Sequence, residues 1–331
     1  MKELLIKLAG VSGPSGAEKH IREILSELLQ PHVDKLTVDV IGNLIAYKKG
    51  TSDTPKTILL EANMDEPGVM AIHIEEKGFV RIVPVGGVKP VHLIGERIRF
   101  TNRTWGVVGV EGDKPLKDIT FADLFVDIGA DSQEAAEKLL AIGTAGVIDK
   151  GAFELGETKI AGKSLGNRAA CAVLIDAISK MGTLQHDVVV VFAVQKEVGS
   201  RGIKTAAFKT EADIAIVVGA ARAGDTPKAE RSELRLGKGP AIKVMDREIV
   251  VPPQIKQLFV DTAERCKIDY QLEVSPDTTS DAGQILLTRD GIPTGAVSIP
   301  VRYVQTPSQI VDVRDMERAS LLVLEIMRTY R

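Results

Sequence analysis

The feature of this sequence that most restricts its fold is a pair of strand-like segments that are apolar on both faces. Residues 188–194 and 214–218 contain only Val, Ile, Phe and Ala, and helix-like segments at 169–181 and 253–266 flank them. Strands of this kind, connected through helices, are typical of a largely parallel sheet that is covered on both sides. We therefore predict an α/β fold with a mixed, largely parallel sheet.

Residues 68–162 have a different pattern, in which short β-rich segments are separated by Gly or Pro turns. One helix is predicted at 133–140, and the predicted strands are 71–74, 79–85, 97–100, 107–110 and 124–128. Many short strands in succession are typical of a small barrel or sandwich. We predict an inserted small β-domain at 68–162, and one discontinuous α/β domain formed by 1–67 and 163–331.

Composition restricts the partners and the location of the protein. The 331 residues include 42 Lys and Arg against 45 Asp and Glu, a formal charge of −3, so we expect no binding to nucleic acid or to a membrane surface. Cys171 and Cys266 are the only cysteines and neither lies in a CxxC pattern, which excludes a disulfide framework and a cysteine zinc site. No signal-peptide pattern and no run of about 18 apolar residues occurs, so we expect a cytoplasmic protein.

Polar side chains follow the predicted strands of the α/β domain. In open α/β sheets ligands bind beyond the carboxyl ends of the strands, so these side chains are candidates for a site. Polar residues also occur at strand ends because the chain meets water there, and the position alone leaves both explanations open. The candidates are Asn63, Asp65 and Glu66 after 58–60, Lys196 and Glu197 after 188–194, Gly219 after 214–218, and Arg302 and Gln305 after 296–299.

The common catalytic motifs are absent from the chain. It contains no GxSxG, HExxH or GxxxxGK[ST] pattern, and none of its five histidines stands at one of these strand ends. We expect all five histidines to be surface or turn residues. They are His20, His32, His73, His92 and His186.

Longer motifs lie along nearly the whole chain. They include residues 59–68 (LLEANMDEPG), 162–168 (GKSLGNR), 194–199 (VQKEVG), 280–283 (SDAG) and 299–307 (IPVRYVQTP). Together they resemble the tetrahedral (TET-type) di-zinc aminopeptidases, a metallopeptidase family also labelled glutamyl aminopeptidase, deblocking aminopeptidase or cellulase M. The resemblance implies an α/β catalytic domain with an inserted β-barrel-like dimerisation domain, two zinc or cobalt ions, and dimers that assemble into twelve-subunit particles.

The resemblance also implies where the metal ligands and the general base of the family belong. The five ligand positions are a His, a bridging Asp, a Glu, a second Asp and a final His. In this chain they are occupied by Asn63, Gly166, Glu197, Gly219 and Gln305. The general base of the family is a Glu, and Lys196 stands at its position, while Asp65, which orients the first His in the family, is retained.

These replacements predict that the chemistry of the family is lost. A catalytic zinc takes about three protein ligands and a bridged pair needs more, so we expect no metal cofactor. Lys196 is protonated near neutral pH unless it is strongly desolvated, and a protonated amine accepts no proton from water. We expect neither a catalytic residue in the crevice nor zinc-dependent peptidase activity.

The leading hypothesis is a catalytically silent homologue of a di-zinc aminopeptidase that acts as a binding or assembly subunit. We expect a homo-oligomer, either a dimer or a dodecamer, with an active paralogue as a further partner and a peptide as a ligand. One alternative is an altered hydrolase whose crevice is refitted around Lys196, Glu197, Asp65 and Arg302. Another is a residual metallo-aminopeptidase that uses Glu66 or Asp225 as substitute ligands.

Three side chains have more than one possible role. Lys196 either forms an ion pair with Asp65 or Glu197 that replaces the charge of a metal ion, or is a solvated lysine at a strand end. Asp225 and Asp281 either bind the amino group of a peptide or cap a loop and a helix. For Asp281 we expect capping, because Ser280 and Asp281 directly precede a helical segment.

Overall fold

The computed structural model describes residues 1–229 and 232–330. Its α-helices are α1 (Lys2–Ala9), α2 (Lys19–Leu29), α3 (Gln133–Leu139), α4 (Leu165–Lys180), α5 (Arg201–Lys209), α6 (Pro253–Arg265), α7 (Ala282–Leu286) and α8 (Val313–Thr329). Its strands are β1 (Lys35–Val38), β2 (Leu44–Lys48), β3 (Thr57–Asn63), β4 (Gly68–Ile74), β5 (Val80–Val85), β6 (Arg97–Phe100), β7 (Trp105–Val110), β8 (Leu124–Asp127), β9 (Ala145–Ile148), β10 (Phe153–Leu155), β11 (Lys159–Gly162), β12 (Asp187–Ala193), β13 (Ile214–Arg222), β14 (Ala241–Asp246), β15 (Gln271–Ser275), β16 (Thr294–Val301) and β17 (Gln309–Asp312).

The two segments that are apolar on both faces become central strands of one sheet. β12 and β13 pair in parallel with β3 from either side, and β13 also pairs in parallel with β16. The full order of the eight-stranded sheet is β1-β2-β12-β3-β13-β16-β14-β15. Antiparallel pairing of β2 with β12 and of β14 with β16 makes the sheet mixed around a parallel centre. The predicted α/β fold class is confirmed.

Helix α4 is the centre of the core beneath this sheet. Its residues are apolar on nearly all sides and are buried against β3, β13 and α8, as expected for a helix that lies inside a domain. Its first turn carries Gly166, Asn167 and Arg168 to the carboxyl ends of the parallel strands. Among the residues that the structure describes, no helix is long and apolar enough to cross a membrane.

The predicted small β-structure is a closed six-stranded barrel in the order β4-β5-β8-β7-β6-β9. Its interior is filled by Val, Ile, Leu and Phe side chains that alternate along the strands, such as Val80, Ile82, Ile98 and Phe100. Strand β9 (Ala145–Ile148) closes the barrel but was not predicted from the sequence. The barrel is confirmed, whereas the limits of the inserted domain at 68 and 162 stay a prediction.

A three-stranded sheet joins the end of the insertion to the α/β part. Strands β10 and β11 form a hairpin, and β11 pairs antiparallel with β17. Strand β17 begins four residues after Gln305. The chain that leaves the barrel is therefore hydrogen-bonded to the segment that carries one of the candidate site residues.

Candidate functional site

A cavity of about 300 Å³ opens at the carboxyl ends of the parallel strands β3, β12, β13 and β16. Ligands bind at this edge of open α/β sheets. The candidate residues that line the cavity are Asn63, Gly166, Lys196, Glu197, Gly219 and Gln305, together with Glu61 and Asp281. The structure therefore brings the five predicted ligand positions and the general-base position together, and it adds a buried glutamate that the sequence analysis missed.

Asn63 and Asp65 form a closed set of hydrogen bonds at the end of β3. Asn63 Nδ2 donates to Asp65 Oδ1 at 3.0 Å, while Asp65 Oδ2 accepts from Ser15 Oγ at 2.6 Å and from the backbone N–H of Glu197 at 3.0 Å. Asp65 is fully buried and is not among the residues that line the cavity. It therefore positions Asn63 and the segment after β12 rather than contacting a ligand.

Lys196 and Glu197 lie beside each other in the crevice, after a left-handed backbone turn at Gln195 (φ 55°). Lys196 Nζ is 3.6 Å from Glu197 Oε1, and Asn167 Nδ2 donates to the same oxygen at 3.1 Å. Burial lowers the pKa of Lys196, but the surrounding carboxylates, led by Glu197 and Asp281, outweigh that effect and raise the pKa overall. The ion pair with Glu197 is therefore present.

Glu61 and Asp281 form a buried pair of carboxyl groups next to Lys196. They are 1% and 3% exposed, and Glu61 Oε1 and Asp281 Oδ1 have no other hydrogen-bond partner. Burial, and then the charge of Asp281, raise the pKa of Glu61 well above its ordinary value. Two carboxyl groups that lie this close do not ionise together easily, which agrees with the raised pKa of Glu61.

The expectation that Asp281 caps helix α7 is wrong. Asp281 precedes α7, but its side chain makes no capping hydrogen bond to the helix. It bonds instead to Ser200 and Glu61 and faces the ammonium group of Lys196. Burial raises the pKa of Asp281, and the charge of Lys196 opposes this rise. The side chain turns into the cavity because its charge partners lie there.

The two glycines at family ligand positions differ in the space around them. A Cβ at Gly219 would meet no atom within 4 Å, so this position leaves the cavity open. A Cβ at Gly166 would lie 2.9 Å from the Cβ of Ala220, and the Gly166 N–H donates to Gln309 Oε1. A larger residue at Gly166 therefore requires the end of β13 to shift, whereas one at Gly219 does not.

Gln305 lies where the α/β part meets the barrel. Its backbone is left-handed (φ 64°), its carbonyl oxygen is 3.2 Å from His92 Nδ1, and its side-chain amide packs against Gly87. A Cβ at Gly87 would be 2.7 Å from Gln305 Nε2, so a larger residue there would require the Gln305 side chain to move. One wall of the crevice is thus in contact with the barrel.

The other candidates have partners of their own outside the main cavity. Glu66 accepts hydrogen bonds from Lys163 Nζ (2.5 Å), Ser164 Oγ (2.7 Å), Arg168 Nη2 (3.1 Å) and the Gly13 N–H (2.9 Å), all of them buried. Both carboxylate oxygens of Glu66 therefore accept hydrogen bonds from buried groups of the protein itself.

Asp225 and Arg302 bind each other in a bidentate pair, with N–O distances of 2.8 and 2.7 Å. The pair holds the pKa of Asp225 below its usual range, chiefly through the hydrogen bond from Arg302. Neither residue is part of the cavity lining. The expectation that Arg302 belongs to a refitted crevice is therefore wrong, and Asp225 is not free to bind an amino group.

The barrel inserted into a mixed α/β sheet, with a polar cavity at the sheet edge, is an architecture shared with solved aminopeptidases. Aminopeptidase APDkam598 from the archaeon Desulfurococcus kamchatkensis superimposes with a TM-score of 0.95 at 36% identity, over 99% of this chain and 94% of that one. The TET1 peptidase of Pyrococcus horikoshii, described as assembling into a tetrahedron or a large octahedral shell, gives 0.90 at 28% identity over 99% of both chains.

Sequence comparison also identifies aminopeptidases as relatives of this chain. A putative aminopeptidase of Acetivibrio thermocellus is 43% identical over 326 residues, which is 98% of each chain. Residues 42–322 match the family described as M42 glutamyl aminopeptidase. The chain belongs to the M42 family of aminopeptidases.

Membership of this family corrects the expectation that the protein has no metal cofactor. The homologues in the M42 family are metal-dependent, so the expectation that this protein has no metal cofactor is wrong. The donors in this crevice nevertheless do not fit a bridged pair of ions, because Glu197 is the only carboxylate at the five ligand positions and its oxygen is bonded to Asn167 and Lys196. Across residues 1–229 and 232–330, no group of three or more His, Cys, Asp or Glu side chains could hold a metal ion.

Proposed function

We propose that the protein is a peptide-binding and assembly subunit of the M42 family that does not carry out the hydrolytic step. One observation supports this most strongly: the position of the family's general base is Lys196, whose ammonium group is held by Glu197 inside the cavity. The carboxylates around Lys196 raise its pKa, so the amine stays protonated at neutral pH. A protonated amine has no lone pair with which to activate water.

The cavity itself is compatible with a bound peptide. Its lining combines amide and hydroxyl groups with a few charges, and its volume of about 300 Å³ lies at the lower end of the range for small-molecule sites. The residues Ser164, Gln195, Ser200, Tyr303 and Gln305 around it have left-handed backbones, which costs energy in residues other than glycine. Backbone strain concentrated at one edge of the sheet is typical of a binding site.

Assembly is the second part of the proposal. Relatives of similar fold are described as forming tetrahedral or octahedral shells, which supports a homo-oligomer for this chain. We propose that the barrel forms the dimer contact, that dimers associate into a dodecamer, and that an active paralogue can enter the same particle in the cytoplasm. Purification of the native particle followed by mass spectrometry tests this, and recovery of this chain alone would contradict the mixed particle.

The altered hydrolase built around Lys196 and Glu197 is less well supported. That mechanism needs Lys196 as a neutral base or nucleophile, whereas the neighbouring carboxylates favour its charged form. Glu197 in turn is engaged by Asn167 and Lys196. The two hypotheses predict opposite results in one activity assay.

The decisive experiment is an aminopeptidase assay on a panel of unblocked peptides, with and without added Zn²⁺ or Co²⁺, beside an active M42 enzyme. We expect kcat/KM to be at least about 10³-fold below the active enzyme, because loss of a general base alone accounts for about 10²–10⁴-fold. Turnover that follows the protein through purification and disappears in a Glu197→Gln variant would overturn the proposal. Residual turnover that is unchanged in that variant identifies a contaminant and leaves the proposal supported.

A further inference from the structure

The cavity contains a positive charge of its own. Lys196 enters it from the end of β12 with its side chain 28% exposed, and its ammonium group interacts with Glu197, Asp281, Asp65 and Glu61. Arg222, at the end of β13, adds an exposed guanidinium to the lining and has no ion-pair partner within residues 1–229 and 232–330. The groups that reach the cavity are therefore not purely acidic.

The carboxylates around Lys196 that would otherwise receive a ligand's ammonium group are already engaged, and the exposed Asp277 of the lining has an interaction of its own as well. Glu197 accepts from Asn167 and faces Lys196, and Asp281 is bonded to Ser200 and Glu61 and faces Lys196 as well. Both oxygens of Asp65 accept hydrogen bonds from other groups of the protein, away from the cavity. The side-chain amine of Lys196 is thus placed where a charged amine would be best stabilised.

We propose that Lys196 occupies the amine-binding position of the crevice, so that the protein binds peptide ends that carry no positive charge. This inference rests on the proposed binding function and names the class of ligand for that same cavity. A second ammonium group would enter the cavity beside the positive charges of Lys196 and Arg222, and like charges repel each other.

The cavity also offers hydrogen-bond partners for a neutral acylated end of a peptide. The Lys196 ammonium has three N–H donors, and its contact with Glu197 at 3.6 Å leaves donors for a carbonyl oxygen of the ligand. The rest of the lining includes uncharged groups that donate or accept hydrogen bonds, such as Ser298, Thr279 and the Gln305 amide. An acylated amino end replaces the charge by a carbonyl acceptor and so matches this set of donors.

The test uses pairs of tripeptide amides with neutral side chains that differ only in whether the amino end is free or acetylated. Affinities for the whole protein are measured by titration calorimetry at pH 7. We expect each acetylated peptide to bind at least about tenfold more tightly than its free counterpart. Lys196→Met should reduce this ratio by about tenfold or more, because the amine-binding position is then vacant. Lys204→Met, which removes an exposed lysine on α5 away from the cavity, should leave the ratio unchanged.

The outcomes separate the inference from the function on which it rests. Equal or tighter binding of the free peptides by the natural protein, or an unchanged ratio in a folded Lys196→Met variant, would overturn the inference and leave the binding function standing. No binding of either set would overturn the binding function itself, and with it the inference. If Lys196→Met does not fold, Glu197→Gln serves instead. It leaves the Lys196 charge less compensated and should increase the preference for acetylated peptides, and a decreased preference would contradict the inference.

Discussion

Two clusters of buried charge lie at the same edge of the sheet, only five residues apart along the chain. One surrounds Glu66, where Lys163 and Arg168 supply two positive charges and Ser164 and Gly13 complete the hydrogen bonds. The other contains Glu61, Asp281 and Lys196, where Glu61 Oε1 and Asp281 Oδ1 have no hydrogen-bond partner. The first cluster has no acceptor left unsatisfied on Glu66, whereas the second opens onto a cavity.

The difference shows that a buried charged group can either stabilise the fold or take part in ligand binding. A buried ion pair stabilises a fold only when hydrogen bonds satisfy its remaining atoms. Both oxygens of Glu66 meet that condition, although Arg168 Nε in the same cluster has no hydrogen-bond partner. An incompletely satisfied polar group costs free energy that a ligand can later recover. We therefore expect substitutions in the Glu66 cluster to affect stability most, and substitutions around Lys196 to affect binding more than stability.

The largest effect is expected for Glu66→Gln. The substitution keeps the size of the side chain but leaves Lys163 and Arg168 buried without a negative partner, which should lower the free energy of unfolding by about 3–5 kcal/mol. Urea denaturation measures it. Glu154→Gln is the matched control, since Glu154 forms an exposed pair with Lys2 and should cost only about 0–1 kcal/mol. Equal effects of the two variants would contradict the assigned role of the Glu66 cluster.

Lys196→Met should have a smaller effect on the free energy of unfolding, about 1–3 kcal/mol. The Lys196 side chain is partly exposed, and the nearby carboxyls can take up a proton when their counter-charge is removed. Denaturation of the variant and of the Lys204→Met control measures the difference. A loss as large as that of Glu66→Gln would show that Lys196 is chiefly structural.

The smallest but most specific effect is a difference in the sign of the pH dependence. Lys163 and Arg168 lower the pKa of Glu66 against the opposing effect of burial, so its stabilisation is present above the unfolded pKa of about 4.5 and is lost as the pH falls through the folded pKa. The folded pKa of Glu61 is raised, so its contribution is present below about pH 4.5 and is lost as the pH rises.

Unfolding of Glu61→Gln and Glu66→Gln at a series of pH values tests this contrast. Relative to the natural protein, Glu61→Gln should gain stability as the pH rises above about 4.5, by about 1.4 kcal/mol for each unit by which the folded pKa is raised. The deficit of Glu66→Gln should shrink as the pH falls below about 4.5. Parallel pH profiles for the two variants would contradict the proposed difference between the clusters.

The sequence predicts the parallel centre of the sheet and the position of the crevice well, because both follow from the pattern of apolar strands and from chain topology. The same pattern contained an unused signal for Glu61. In a strand, residues two apart point to the same side, so Glu61 and Asn63 share a face of β3 and both reach the cavity. A glutamate within the apolar run TILLEAN is therefore itself an indication of a site.

Other features depend on contacts that no local pattern contains. The pair formed by Asp225 and Arg302 joins residues that are 77 positions apart along the chain. The Asp281 side chain interacts with Lys196, which follows a different strand, instead of capping its own helix. Strands β14 and β15 were also missed, because polar residues interrupt the apolar run in both: β14 reads AIKVMD and β15, the edge strand, reads QLEVS. Long-range charge pairing therefore decides the details of this crevice after topology has placed it.

The contact between Glu66 and Lys163 has a consequence for the route of the chain. Glu66 lies two residues before β4, the first barrel strand, and Lys163 directly follows β11, so their 2.5 Å ion pair connects the two ends of the segment that contains the barrel. The two ends of this segment of almost a hundred residues are therefore adjacent in space. A segment with adjacent ends can be lengthened, shortened or exchanged by a single recombination event, while the strands of the eight-stranded sheet keep their register.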